Sequence, residues 1–136
     1  MAYSCSSCKF NLFTAIAELE VSVLGLYDDA RFPGRCLLVL KDHYEDFVDV
    51  PEQLTTSFMR DAKRAARAIQ AAVSADRINY AILGNTVPHV HAHLIPRTWK
   101  TDPVPGKSPW NHPDAVSPLE AGRRDAVISL IQLGLV

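Results

Sequence analysis

Between Pro88 and Ile95 the chain reads His89-Val90-His91-Ala92-His93-Leu94, with a histidine at every second position. In an extended strand successive side chains point to opposite faces. Read as a strand, this segment sets three imidazoles on one face and Val90, Ala92 and Leu94 on the other. The apolar face has to pack a core. The histidine face must meet solvent, a metal or a substrate, because three buried imidazoles without partners would be costly. Strict alternation beside Gly84-Asn85-Thr86 points to chemistry rather than to a structural cluster.

The rest of the chain supplies the scaffold. Ala15 to Tyr27 is apolar with interruptions at Glu18 and Glu20, and reads as two strands or as one strand preceded by a short helix. Asp28 to Gly34 is a turn by its Asp, Pro and Gly content. Arg35 to Lys41 reads as a buried strand. Pro51 suits the first position of a helix, after which Leu54, Phe58, Ala62, Ala65, Ile69 and Val73 recur at helical spacing. Arg60, Lys63, Arg64 and Arg67 fall on its other face and read as solvated surface. Ile78 to Gly84 reads as a strand, and Val87 to Pro96 contains the next. Arg97 to Val116 is a proline-rich, ordered loop with two tryptophans, Trp99 and Trp110. Ser117-Pro118-Leu119-Glu120 is a capping-box pattern that predicts a C-terminal helix packing Ala126, Val127, Leu130 and Ile131. This order gives an α+β domain with an antiparallel sheet of about five strands, one long helix and a C-terminal helix.

Length and charge narrow the function. A chain of 136 residues suits one domain, residues 1–136, with its own core. A net charge of −1 gives no global bias toward nucleic acid or anionic membranes. The N-terminus lacks a basic segment followed by an apolar run, and no apolar stretch is long enough to cross a bilayer. A cytoplasmic location is expected, with Cys5, Cys8 and Cys36 reduced or metal-bound. Cys36 lies in an apolar run and reads as core. The pair Cys5-x-x-Cys8 is by itself compatible with redox chemistry, a metal or neither.

Gly84-Asn85-Thr86-Val87-Pro88-His89-Val90-His91-Ala92-His93-Leu94-Ile95-Pro96-Arg97 resembles the signature of the histidine-triad superfamily, His-φ-His-φ-His-φ-φ with φ apolar. Pro33-Gly34 in the preceding turn and Lys41-Asp42-His43 after the next strand extend the resemblance over most of the chain up to Arg97. It implies a HIT-like fold and a nucleoside-phosphate hydrolase or transferase. His91 would attack the α-phosphorus to form a nucleotidyl-histidine that water then hydrolyses, with dinucleoside polyphosphates or nucleoside phosphoramidates as substrates. His93 is placed to help hold the phosphate, and His89 to orient the site or ligate a metal. Asn85 and Thr86 match phosphate-contacting positions. Asp28 is the candidate for the ribose hydroxyls, with Asp29 next to it. Many relatives carry a fourth histidine where this chain has Arg35, a cation that cannot relay a proton at neutral pH but can bind phosphate.

The resemblance also implies a structural zinc, with Cys5, Cys8, His43 and His89 as a closed tetrahedral set, and no organic cofactor. Relatives are usually homodimers whose sheets join across the two-fold axis, and the same is expected here. Two other readings stand beside the enzyme. One is a nucleotide-binding protein without turnover. The other is a metal-dependent hydrolase using His89, His91 and His93, against which stands the spacing of about 7 Å between same-face strand positions.

Overall fold

The computed structural model describes residues 3–12 and 14–136. A small hairpin opens the chain, β1 (Tyr3–Ser4) with β2 (Asn11–Leu12). The main sheet contains β3 (Ala15–Glu18), β4 (Ser22–Leu26), β5 (Cys36–Leu40), β6 (Arg77–Ala81) and β7 (His91–Arg97), in the order β3-β4-β5-β7-β6 with every pairing antiparallel. A long helix, α1 (Glu52–Val73), joins β5 to β6, and α2 (Ala121–Gly134) closes the chain. The expected α+β arrangement is present, and Ala15–Tyr27 resolves into two strands. Among the described residues no helix is long and apolar enough to cross a membrane.

Register divides the sheet into two faces. Val23 pairs with Val39, Val39 with His91, and Leu37 with His93, so these side chains share one face. Leu24, Leu38, Ala92 and Leu94 take the other, where Phe58, Ala62, Ala65 and Ile69 of α1 pack against them with Val127 and Ile131 of α2. The histidine face carries a smaller apolar cluster in which Leu12 of the hairpin meets Val23 and Val39. Gly25 permits that contact, because a Cβ there would lie 2.5 Å from Leu12. Buried Asp61 of α1 accepts hydrogen bonds from the Val21 amide and the Ser22 hydroxyl, which fastens the β3–β4 turn to the helix.

The element ends differ from the sequence expectation in three places. Pro51 caps α1 instead of opening it. The strand expected to run to Gly84 ends at Ala81, and the next begins at His91. After Pro88 the His89 amide closes a tight turn onto the Val87 carbonyl at 2.9 Å, which takes His89 out of the ladder. The C-terminal helix begins at Ala121 and not at the Ser117 signature. Residues before it lie against the Asp28–Arg31 turn, where the Ser117 carbonyl accepts from the Ala30 amide and Asp28 accepts from the Leu119 amide. That docking outweighs a local capping preference. In α2 only Val127 and Ile131 of the four expected core residues are buried, while Ala126 and Leu130 are exposed.

Candidate functional site

His91 and His93 leave β7 on the sheet face away from α1 and look into a cavity of about 400 Å³. Asn85 and Thr86 line it, and Phe10, Tyr27 and Trp110 supply aromatic walls. His91 is buried, and its Nδ1 lies 2.7 Å from the His89 carbonyl oxygen. A carbonyl only accepts, so Nδ1 carries the proton and donates it. The lone pair of neutral His91 is therefore on Nε2. Phe10 stacks on both His89 and His91, with ring centroids 5.7 and 5.6 Å away, and so holds the two rings in place.

His93 is fixed from the other side. Arg35 Nη2 donates to His93 Nδ1 at 3.1 Å, Arg35 Nη1 donates to Asp29 at 2.8 Å, and the guanidinium lies 3.8 Å over the Tyr27 ring. Burial, the positive charge of Arg35 and neighbouring His91 push the His93 pKa down to about 4. Burial alone would raise Asp29. Hydrogen bonds from Arg31 and Arg35 instead hold it below the ordinary carboxylate range.

The third triad member belongs to a different constellation. His89 Nε2 is 2.6 Å from the Leu40 carbonyl oxygen and must carry the proton there, which leaves Nδ1 unprotonated. That Nδ1 meets Cys8 Sγ at 3.4 Å and His43 Nδ1 at 3.2 Å, and His43 Nδ1 lies 3.6 Å from Cys5 Sγ. One ligand atom from each of Cys5, Cys8, His43 and His89 falls within 4.8 Å of every other. Around a tetrahedral zinc the edges would be about 3.3 Å between nitrogens and about 3.6 Å between nitrogen and sulfur. The donor set fits, and the cluster can hold a metal ion. The hairpin makes it: the Lys9 amide closes on the Cys5 carbonyl at 2.8 Å, and Lys9 takes the left-handed region at φ 61°. Burial raises the Cys5 thiol, but the Cys8 and Ser7 amides, Cys8 itself and His43 outweigh it and bring it down to about 6. Cys8 is raised by its own burial and by Cys5 beside it.

The sequence candidates thus divide. His91, His93, Asn85, Thr86 and Arg35 come together at the cavity, while His89 joins Cys5, Cys8 and His43. Asp28 and Asp29 do not line that cavity. Asp28 accepts from the Leu119 amide and from Arg124, and borders an adjacent hollow that shares Tyr27 and Leu37 with the first. Asp29 is fully buried between Arg31 and Arg35. Phe10 and Tyr27 carry no sequence signal for their positions, because only the hairpin and the strand register bring them to the histidines. Trp110 does line the cavity, 5.4 Å from His93.

The HIT domain family model matches residues 13–99, which spans the main sheet and α1 and stops short of Cys5, Cys8 and Trp110. An uncharacterised HIT-like protein of Saccharolobus solfataricus is 32% identical over 76 residues, 52% of this chain and 54% of that relative. The match therefore spans about half of that relative's length. A histidine triad protein from Bradyrhizobium japonicum shares the fold with a TM-score of 0.81 at 26% identity, covering 90% of each chain. A Zn-bound histidine triad family protein from Mycobacterium smegmatis matches with a TM-score of 0.64 at 25% identity, covering 89% of this chain and 82% of that one.

Proposed function

The chain belongs to the HIT domain family, and on that premise we propose that it cleaves nucleoside phosphates at the α-phosphorus through a nucleotidyl-histidine on His91 Nε2. The observation that carries this reading is the 2.7 Å contact from His91 Nδ1 to the His89 carbonyl. It directs the lone pair to Nε2 before substrate arrives, and the carbonyl stabilises the positive charge that the ring gains on attack. His93 offers its Nε2–H to the phosphate oxygens, joined by Asn85 and Thr86. Water then takes the nucleotidyl group from His91. The aromatic walls give the base a stacking surface, and Asp28, at the neighbouring hollow, is the ribose candidate, with Asp29 behind it as a support for Arg35. The substrates in view are dinucleoside polyphosphates and nucleoside phosphoramidates.

We also propose that the Cys5, Cys8, His43 and His89 cluster holds a structural zinc. The ion would lock the hairpin that carries Phe10 and, through His89, the backbone carbonyl that orients His91. A homodimer is proposed through β6, an edge strand flanked by a 350 Å³ apolar groove that Met59, Tyr80 and Ile82 help to line. Sedimentation giving a monomer at micromolar concentration would remove that part. The cytoplasm is the proposed compartment, since thiol ligands persist there.

The test of the central claim compares wild type with His91→Ala. Wild type should turn over a diadenosine polyphosphate and, under rapid quench, gain the mass of one nucleotidyl group. His91→Ala should bind nucleotide and do neither. Turnover retained in His91→Ala would refute the covalent route. Binding without turnover in the wild type would favour a nucleotide-binding protein instead.

A further inference from the structure

Arg35 lines the cavity yet is only 3% exposed, and its Nε has no hydrogen-bond partner among the described residues. Nη1 donates one N–H to Asp29 and Nη2 one to His93 Nδ1, and the guanidinium plane lies on Tyr27. A guanidinium has donors and no acceptor, so the bond to His93 has one sense: Nδ1 is the acceptor, and the proton of neutral His93 sits on Nε2. Converting His93 to imidazolium would require a proton on Nδ1, where an Arg35 N–H already points. It would also set two cations 3.1 Å apart in a partly buried place. The charged or titratable groups against His93 among the described residues are Arg35, Tyr27 and His91. None is an acid at neutral pH that would favour the imidazolium. Asp29 is spent on Arg31 and Arg35.

We propose that the Asp29–Arg35–His93 chain is a specificity device: it holds His93 as a neutral Nε2–H donor and so restricts the site to leaving groups that depart without taking up a proton. The proposal rests on the covalent-histidine reading given above and narrows it to phosphoric anhydrides, with nucleoside phosphoramidates disfavoured. In the first step the His91 Nε2–P bond forms and the P–O bond to the leaving phosphate breaks. The leaving oxygen keeps the electron pair as a stable anion, and no proton moves. A P–N bond breaking in the same way would put the pair on nitrogen, which needs a proton to leave as an amine. Neutral His93 can hydrogen-bond to that nitrogen but does not protonate it, and Arg35 does not give up a proton at neutral pH. In the second step a water oxygen bonds to phosphorus, the P–Nε2 pair returns to His91, and one water proton passes to solvent. Arg35 acts through His93 throughout and is a positioning residue. The depressed His93 pKa, near 4, agrees with the geometry.

Two measurements test this. Nitrogen-15 spectra of the wild-type imidazoles over pH should show His93 neutral and protonated at Nε2 across the range where ordinary histidines titrate. A His93 imidazolium forming in that range would overturn the proposal whatever the protein's activity. The second is the ratio of kcat/KM for a diadenosine polyphosphate to that for adenosine 5′-phosphoramidate. It should be about 100 in the wild type, the size of a general-acid contribution, and should fall about tenfold or more in Arg35→His. Equal rates on both substrates in the wild type would overturn the specificity claim while leaving the covalent reading intact. Turnover of neither would bring down that reading and the substrate claim with it, with the His93 titration still deciding what Arg35 does. If Arg35→His fails to fold, both wild-type measurements stand alone.

Discussion

Arg97 ends β7 with its guanidinium almost wholly enclosed, and replacing it by methionine should be among the costliest single changes in this chain. Its Nε donates to Asp102 at 2.6 Å, Nη1 to Asn79 Oδ1 and the Lys107 carbonyl at 2.8 Å each, and Nη2 to the Val104 carbonyl at 2.9 Å. The Arg97 and Asp102 side chains are 2% and 3% exposed. Arg97→Met keeps the apolar stem and strands a buried carboxylate, an amide oxygen and two backbone carbonyls. Breaking one side of a buried ion pair costs about 3–5 kcal/mol, a large part of the roughly 5–15 kcal/mol that holds a domain together. Urea unfolding at pH 7 should show a loss of about 4 kcal/mol. Arg97→Met/Asp102→Asn should recover part of it, because the amide strands no charge. The pH dependence carries a sign. Burial pushes Asp102 up, but the hydrogen bonds from Arg97 and the Val104 amide outweigh it, and the folded pKa lies below the ordinary one. The pair therefore contributes fully above the unfolded carboxylate value, about 3.9, and its contribution is lost as pH falls through the folded pKa. The gap between wild type and Arg97→Met should hold steady from neutrality down to about pH 5 and close below about pH 4. A gap under about 1 kcal/mol at pH 7, typical of an exposed pair, or one that ignores acid, would mean that the Arg97–Asp102 pair is not a buried ion pair. The loop from Thr98 to His112 carries Trp110 to His93, so the variant should also raise KM for nucleotide more than it lowers kcat.

On the proposed zinc site, removing the metal should loosen the hairpin. With free zinc at a hundredfold its Kd the linkage contributes about 2.7 kcal/mol, so a chelator should lower the melting temperature of wild type but leave that of Cys8→Ser unchanged. Metal content by mass spectrometry should drop from one ion per chain to none in that variant, and an equal content in both would count against the four-ligand site. Gly25→Ala places a Cβ 2.5 Å from Leu12 and should cost about 1–3 kcal/mol by overpacking. Because Leu12 belongs to the hairpin, that variant should also bind zinc more weakly, which a competition titration with a chromogenic chelator reads directly.

Local pattern determined a good deal of this protein. The alternation named the two faces of the strand from His91 to Leu94, since side-chain direction in an extended chain depends only on position parity, while His89 lies in the turn before it. The apolar spacing from Leu54 to Val73 marked α1 within a residue at its start, since a face repeating every 3.6 residues is itself the helix. Side-chain chemistry also allowed Cys5, Cys8, His43 and His89 to be named as one set through the family resemblance, and the hairpin, the β5 end and the turn after Pro88 do bring them together. What the pattern could not assign was which nitrogen of each imidazole carries the proton. His91 has its lone pair on Nε2 because a carbonyl two residues back meets Nδ1, and His93 has its proton on Nε2 because Arg35 arrives across the β5–β7 pairing. Arg35 read as a phosphate ligand in the chain alone. Burial between Asp29, Tyr27 and His93 is a property of three segments at once. Strand register and loop docking decide which nitrogen of an imidazole holds a proton, and no residue type encodes that choice by itself.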